Sequence, residues 1–149
     1  MDLFEELMEL ACALDREGVP YALIGGLALA VHGAPRATTD IDFLVRPEDA
    51  ERILGIARDR GFVHAASSKS FRDGSEIRRV TRIVGTEALT LDLMLVNPDL
   101  EETWSTVEVV ATDAGPLRVV SRDALIRMKI ASGRTRDLAD VERLQEMDL

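Results

Sequence analysis

The six residues Asp40-Ile41-Asp42-Phe43-Leu44-Val45 constrain this chain more than any other stretch. Side chains on a β-strand alternate between its two faces. Ile41, Phe43 and Val45 therefore share one face, and Asp40, Asp42 and Leu44 share the other. The apolar face demands a core. The other face then carries two carboxylates at i and i+2, where like charges repel and are poorly solvated. A protein tolerates this when a cation sits between the acids, and a hard divalent ion with oxygen ligands, magnesium above all, meets the need.

The segment Thr90-Leu91-Asp92-Leu93-Met94-Leu95-Val96 has the same character. Leu91, Leu93 and Leu95 form one face, and Asp92 is the single charge. An acid alone in so apolar a run is costly unless it is paired or ligates a metal. If the two strands are neighbours, Asp92 joins Asp40 and Asp42 in a carboxylate triad able to hold two metal ions. Asp92 is then also a candidate general base.

The rest of the chain reads as helices and strands in alternation. Leu3, Phe4, Leu7, Leu10, Ala11 and Leu14 recur at helical spacing, predicting an amphipathic helix over 3–16 that stops at Gly18. Tyr21 to Ile24 reads as a short buried strand. Gly25-Gly26 turns the chain into a short helix, Leu27 to His32, closed by Gly33 and Pro35. Pro47 opens a helix running to about Arg60. Residues 65–76 are polar, with a turn signal at Asp73-Gly74. Ile77 to Val84 and Leu89 to Val96 predict a strand pair joined around Gly85, and Val107 to Thr112 with Leu117 to Val120 a second hairpin. Ser121 is a candidate N-cap for a helix to Ser132, and Thr135 for a last helix through Leu144. No repeat, low-complexity tract or linker interrupts the pattern. It predicts one α+β domain over residues 1–149, a mixed β-sheet with helices packed mainly on one side.

Composition narrows the function classes. The formal net charge of −9 argues against nonspecific nucleic-acid binding by the whole surface. Charge is unevenly spread: residues 1–17 hold six acids and one arginine, whereas 69–82 and 122–136 are basic. Such stretches suit either a locally bound anion or solvated faces, and the solvated reading is favoured for 69–82. Cys12 is the only cysteine, which excludes an intramolecular disulfide and a cysteine-rich zinc site and fits a reducing cytoplasm. No apolar run has the length a bilayer needs, and the acidic start MDLFEELMEL is unlike a secretory signal. A cytoplasmic protein with no membrane contact is expected.

Gly25-Gly26 lies at a strand-to-helix turn upstream of the aspartates. Glycines there let the backbone approach a phosphate, next to the free amides of a helix start. Taken alone, Gly-Gly more often marks an ordinary tight turn, and Asp-X-Asp also occurs in metal-dependent glycosyltransferases and plain loops. A glycosyltransferase is disfavoured by the short chain. The ensemble is more specific than its parts: strand, Gly-Gly, helix, His-Gly-X-X-Arg, Thr-X-Asp-X-Asp on a strand, then a lone Asp on a later strand.

That ensemble resembles the nucleotidyltransferase superfamily, with its DNA polymerase beta-like fold. YALIGGLALAVHGAPRATTDIDFLV and DALIRMKIASGRTRDLADVERL resemble the branch containing the AbiEii-type toxins and related small nucleotidyltransferases. The resemblance implies Gly25 and Gly26 at a nucleoside triphosphate, Asp40 and Asp42 as Mg2+ ligands, and Asp92 as third carboxylate, with two ions expected. It implies that Lys129 points toward phosphate or the aspartates; as a plain helical lysine it would snorkel to solvent. Arg36 either touches phosphate or braces the loop before Asp40. Arg134, Arg136, Asp137 and Asp140 read as a structural ion-pair set. Where much of the superfamily has Gly-Ser at the phosphate turn, this chain has Gly26, so backbone amides must replace the hydroxyl. The implied activity is transfer of a nucleoside monophosphate to an acceptor hydroxyl, RNA or a tRNA end foremost, within a toxin–antitoxin pair. An antitoxin or a second copy of the chain is the expected partner. Two alternatives stand beside it: a catalytically silent binding module of the same fold, and a nucleotidyltransferase acting on a small molecule of the aminoglycoside type.

Overall fold

A computed structural model describes residues 1–65, 68–70 and 74–147. Helix α1, Leu3–Arg16, begins where the Asp2 carboxylate accepts from the amides of Phe4 and Glu5, and it ends ahead of Gly18 in left-handed conformation. Strand β1, Ala22–Ile24, leads directly into α2, Gly25–Val31. Both glycines lie inside the first turn of α2, two residues earlier than the sequence predicts, because Gly25 takes a positive φ of 74° that starts the helix at once. Strand β2 is Asp40–Val45. A 3-10 turn over Pro47–Asp49 runs into α3, Ala50–Asp59.

The two-residue strands β3, His64–Ala65, and β4, Lys69–Ser70, precede the long hairpin of β5, Glu76–Val84, and β6, Glu87–Leu95. The turn expected at Asp73-Gly74 lies in part outside the described residues. Helix α4, Glu101–Ser105, leads to the second hairpin, β7, Glu108–Thr112, and β8, Gly115–Val119. Helices α5, Arg122–Ser132, and α6, Thr135–Glu146, close the chain. Ser121 caps α5 through the Ala124 amide, whereas α6 is preceded by Arg134 and has no side-chain cap.

The strands form one mixed sheet in the order β3-β5-β6-β2-β1-β8-β7, with β4 also on β5. β2 and β6 run parallel as neighbours; β1 is antiparallel to β2 and parallel to β8. The apolar rows Ile41, Phe43 and Leu91, Leu93 are fully buried, in one cluster with Leu7, Leu10 and Leu14 of α1 and Ile53 and Ala57 of α3. One face of the sheet is thus sealed by α1 and α3, and the alternate residues of β2, β5 and β6 line a cavity together with residues of α2, α5 and α6.

Candidate active site

Strand register assembles the site. Ile24 pairs with Asp42, Asp42 with Asp92, and Asp92 with Arg79, in one row across β1, β2, β6 and β5. Directly paired residues share a face, and Asp40 stands one step along, opposite Thr90. This face floors a cavity of about 960 Å3 whose other walls include Gly25, Gly26, Arg36 and Lys129. All seven residues singled out from the sequence, Asp40, Asp42, Asp92, Gly25, Gly26, Arg36 and Lys129, line the one cavity.

The two glycines have different steric reasons. A Cβ on Gly25 would lie 2.4 Å from Asp42 Oδ2, and the residue has a left-handed φ. The Asp42 carboxyl therefore packs against the bare backbone that opens α2. A Cβ on Gly26 would lie 3.0 Å from both Cβ and Oγ1 of Thr38. Thr38, on the loop before β2, fills the space that a serine at position 26 would need. Ile24, the residue before α2, offers its first-turn amides no side-chain cap.

The three carboxylates are not equivalent. Asp92 is nearly buried, and both its oxygens are taken by one guanidinium: Arg79 Nε donates to Oδ1 at 2.8 Å and a terminal nitrogen to Oδ2 at 2.9 Å. This fork-to-carboxylate pair is the strongest ionic geometry available to a side chain. It pushes the Arg79 guanidinium still higher, first through those hydrogen bonds and then through the Asp92 charge. Asp40 accepts a 3.1 Å hydrogen bond from Thr39 Oγ1. Asp42 has no hydrogen-bond or ion-pair partner among the described residues. Its pKa is pushed up from 3.8 to about 7, by burial first and then by the charges of Asp92 and Asp40.

Lys129 neither snorkels to solvent nor reaches the aspartates of β2. It is buried, and its Nζ donates to Asp140 Oδ2 at 2.9 Å, 3.8 Å from Asp137 Oδ1. Arg36 donates through Nε to Asp140 Oδ1 at 2.9 Å and through a terminal nitrogen to the Ala37 carbonyl at 3.1 Å, so it ties the loop before β2 to α6. Arg134 holds Asp137 at 2.7 Å. Burial alone would raise the Asp140 pKa, but the hydrogen bonds from Arg36 and Lys129 outweigh it and hold the carboxyl low. Arg136 stands outside this network, with no partner among the described residues, as do Arg127 and Lys69; all three line the cavity.

Arg79 is the site residue that the sequence reading misses, since it sits in the basic stretch taken for a solvated face. A signal was present. Asp92 needs a partner, and a two-residue turn at Gly85-Thr86 sets Val84 opposite Glu87. Counting back along that hairpin places Arg79 opposite Asp92.

Asp40 and Asp42 suit a hard divalent cation: both offer carboxylate oxygens, and Asp42 is half-buried, crowded by acids and unpaired. Asp92 suits it less, with both oxygens already engaged. Among the described residues, no group of three or more His, Cys, Asp or Glu is placed to hold a metal ion. The triad expected from the sequence shares one face of the sheet but divides into an open pair and an arginine-bound third member.

No protein-family model and no curated protein matches the sequence. Solved structures do match. A candidate nucleotidyltransferase from Thermotoga maritima aligns with 97% of this chain and 92% of its own, at TM-score 0.65 and 17% identity. ANT(2")-Ia in complex with adenylyl-2"-tobramycin aligns over 94% and 86%, at TM-score 0.62 and 16% identity. An antigenic nucleotidyltransferase-like protein from Paracoccidioides brasiliensis aligns over 96% and 75%, at TM-score 0.61 and 19% identity. The chain has the nucleotidyltransferase fold, a mixed sheet and helices arranged as in these proteins.

Proposed function

We propose that this protein is a magnesium-dependent nucleotidyltransferase that moves a nucleoside monophosphate from a triphosphate to an acceptor hydroxyl. The observation that carries the reading is the unpaired Asp42, half-buried beside Asp40 beneath the glycine-opened start of α2, on a nucleotidyltransferase fold. A divalent ion on Asp40 and Asp42 would neutralise the charge of the triphosphate bound there. Gly25 and Gly26 let the phosphates approach the first amides of α2, where a longer side chain would block them. The acceptor oxygen attacks the α-phosphorus, the bond to pyrophosphate breaks, and the Asp92 carboxylate takes the hydroxyl proton. Each oxygen of Asp92 keeps lone-pair capacity beyond its bond from Arg79, so the pair orients Asp92 without silencing it. Most of the rate gain comes from positioning and charge neutralisation.

For the acceptor, RNA is favoured. Lys69, Arg127 and Arg136 line the cavity without a carboxylate partner among the described residues, in a chain whose net charge is −9. Unpaired cations there attract an anionic polymer. They repel a polycationic aminoglycoside, although Asp99 and Glu102 on another wall would suit one, and ANT(2")-Ia carries an adenylylated tobramycin. A toxin role, with an antitoxin or a second copy as partner, is the setting we assign to such an RNA-modifying activity.

The test is incubation with each α-labelled triphosphate, Mg2+ and either total RNA or an aminoglycoside panel. Label transfer to RNA with release of pyrophosphate is expected. Transfer to an aminoglycoside alone would replace the acceptor, and triphosphate binding without transfer to anything would leave a binding module.

A further inference from the structure

Four cations that line this cavity are bound to acids, Arg36, Arg79, Lys129 and Arg134, yet only one of them touches the row that runs across the sheet. Lys129 is held by Asp140, and Arg36 by Asp140 and Ala37. Arg79 alone reaches Asp92, from the directly opposed position on β5. We propose that the Arg79 guanidinium occupies the place of a second divalent cation at Asp92, so that the site binds one metal ion, on Asp40 and Asp42. The inference rests on the metal-dependent reading given above.

Four observations converge on it. Both Asp92 oxygens accept from Arg79, at 2.8 and 2.9 Å, so a cation already stands against each of them. The hairpin register fixes the pair: β5 and β6 are joined by continuous pairing from Val84–Glu87 to Ile77–Met94, so Arg79 cannot leave Asp92 by a small slip of the strand. Asp42, paired with Asp92 in the next strand, has no hydrogen-bond or ion-pair partner for its side chain among the described residues, so its oxygens are open where those of Asp92 are not. No trio of candidate ligands among the described residues is placed to hold a metal. A metal bridging Asp42 and Asp92 would be forced against the guanidinium, and the two cations would repel. Arginine stays charged at every pH the protein meets, so the substitute is permanent. Arg79 is thus a positioning residue: it keeps Asp92 aimed into the cavity and free of metal.

Manganese bound to the protein can be counted directly, from the loss of the free-ion electron paramagnetic resonance signal during titration with Mn2+ alone. Wild type should bind one ion at the site, lost in Asp42→Asn. Arg79→Gln, which removes the charge, should bind two, and Arg79→Lys, which keeps it, should return to one. Circular dichroism of each variant checks the fold, and two ions at the site in wild type would overturn the inference even if Arg79→Gln unfolds. Two ions lost together from wild type by Asp42→Asn would overturn the inference while leaving the metal-dependent reading intact. One ion in both wild type and folded Arg79→Gln would also overturn it. No ion sensitive to Asp42→Asn would sink the metal-dependent reading itself.

Discussion

Asp42 carries the sharpest consequence at the scale of one residue. Its pKa is pushed up to about 7 in the folded protein, against about 3.9 in an unfolded chain. Between those values the folded state binds more protons than the unfolded state. Stability contributed by this group is therefore greatest at low pH and falls as pH rises from about 4 to about 7. The full difference corresponds to about 4 kcal/mol. Asp42 faces a cavity, where solvent screens part of it, so a cost of about 2 kcal/mol near pH 8 is the expected size. Asp42→Asn should accordingly stabilise the metal-free protein by about 2 kcal/mol at pH 8 and by almost nothing at pH 4. Urea denaturation of both proteins at the two pH values measures it. A variant that is less stable than wild type at pH 8 would show that Asp42 is already compensated.

Among the elements, the α5–α6 pair is held by a buried ionic network rather than by apolar contact alone. Lys129 of α5 meets Asp140 and Asp137 of α6, Arg134 grips Asp137, and Arg36 joins the loop before β2 to Asp140. Removing one partner of a buried pair is expensive because the other charge is left behind, about 3–5 kcal/mol. Here each aspartate keeps an arginine, so Lys129→Met should cost about 3 kcal/mol, near the low end of that range. Chemical denaturation reads the loss. Calorimetry on the same variant should show nucleotide affinity reduced less than in Asp42→Asn, since Lys129 is spent on α6. An affinity loss as large as that of Asp42→Asn would return Lys129 to the phosphates.

At the scale of the whole molecule, the acidic surface and the mixed cavity set different rules for ligands. A net charge of −9 repels polyanions at long range, whereas Lys69, Arg127 and Arg136 put positive charge inside the cavity. A ligand bound only by the native state stabilises it by mass action, about 2.7 kcal/mol at a hundred times its Kd. Mg2+ with a triphosphate should therefore raise the melting temperature by roughly 5–10 °C for a domain of this size. Either component alone should do much less, and Asp42→Asn should remove most of the gain. Thermal melts with Mg2+, triphosphate, both, and EDTA decide it; an equal shift from triphosphate in EDTA would exclude a metal-borne site.

By itself, the sequence determined what local periodicity controls. Strand β2 has the expected bounds, Asp40–Val45, and α1 likewise, because alternation and helical spacing are set by residues within a turn or two of one another. The mixed α+β sheet followed from the order of those elements. Position 26 was read correctly as a glycine where a serine was expected, but its reason, the body of Thr38, required the loop before β2 to be folded back over α2. Tertiary structure alone decided the ionic partners. Arg36 and Asp140 are 104 positions apart and meet only because α6 docks beside the loop that precedes β2. Arg79 meets Asp92 only through hairpin register, and the same contact divides three similar aspartates into an open pair and a closed third. Periodicity says which face a charge occupies; only the packing of distant elements decides what stands opposite it.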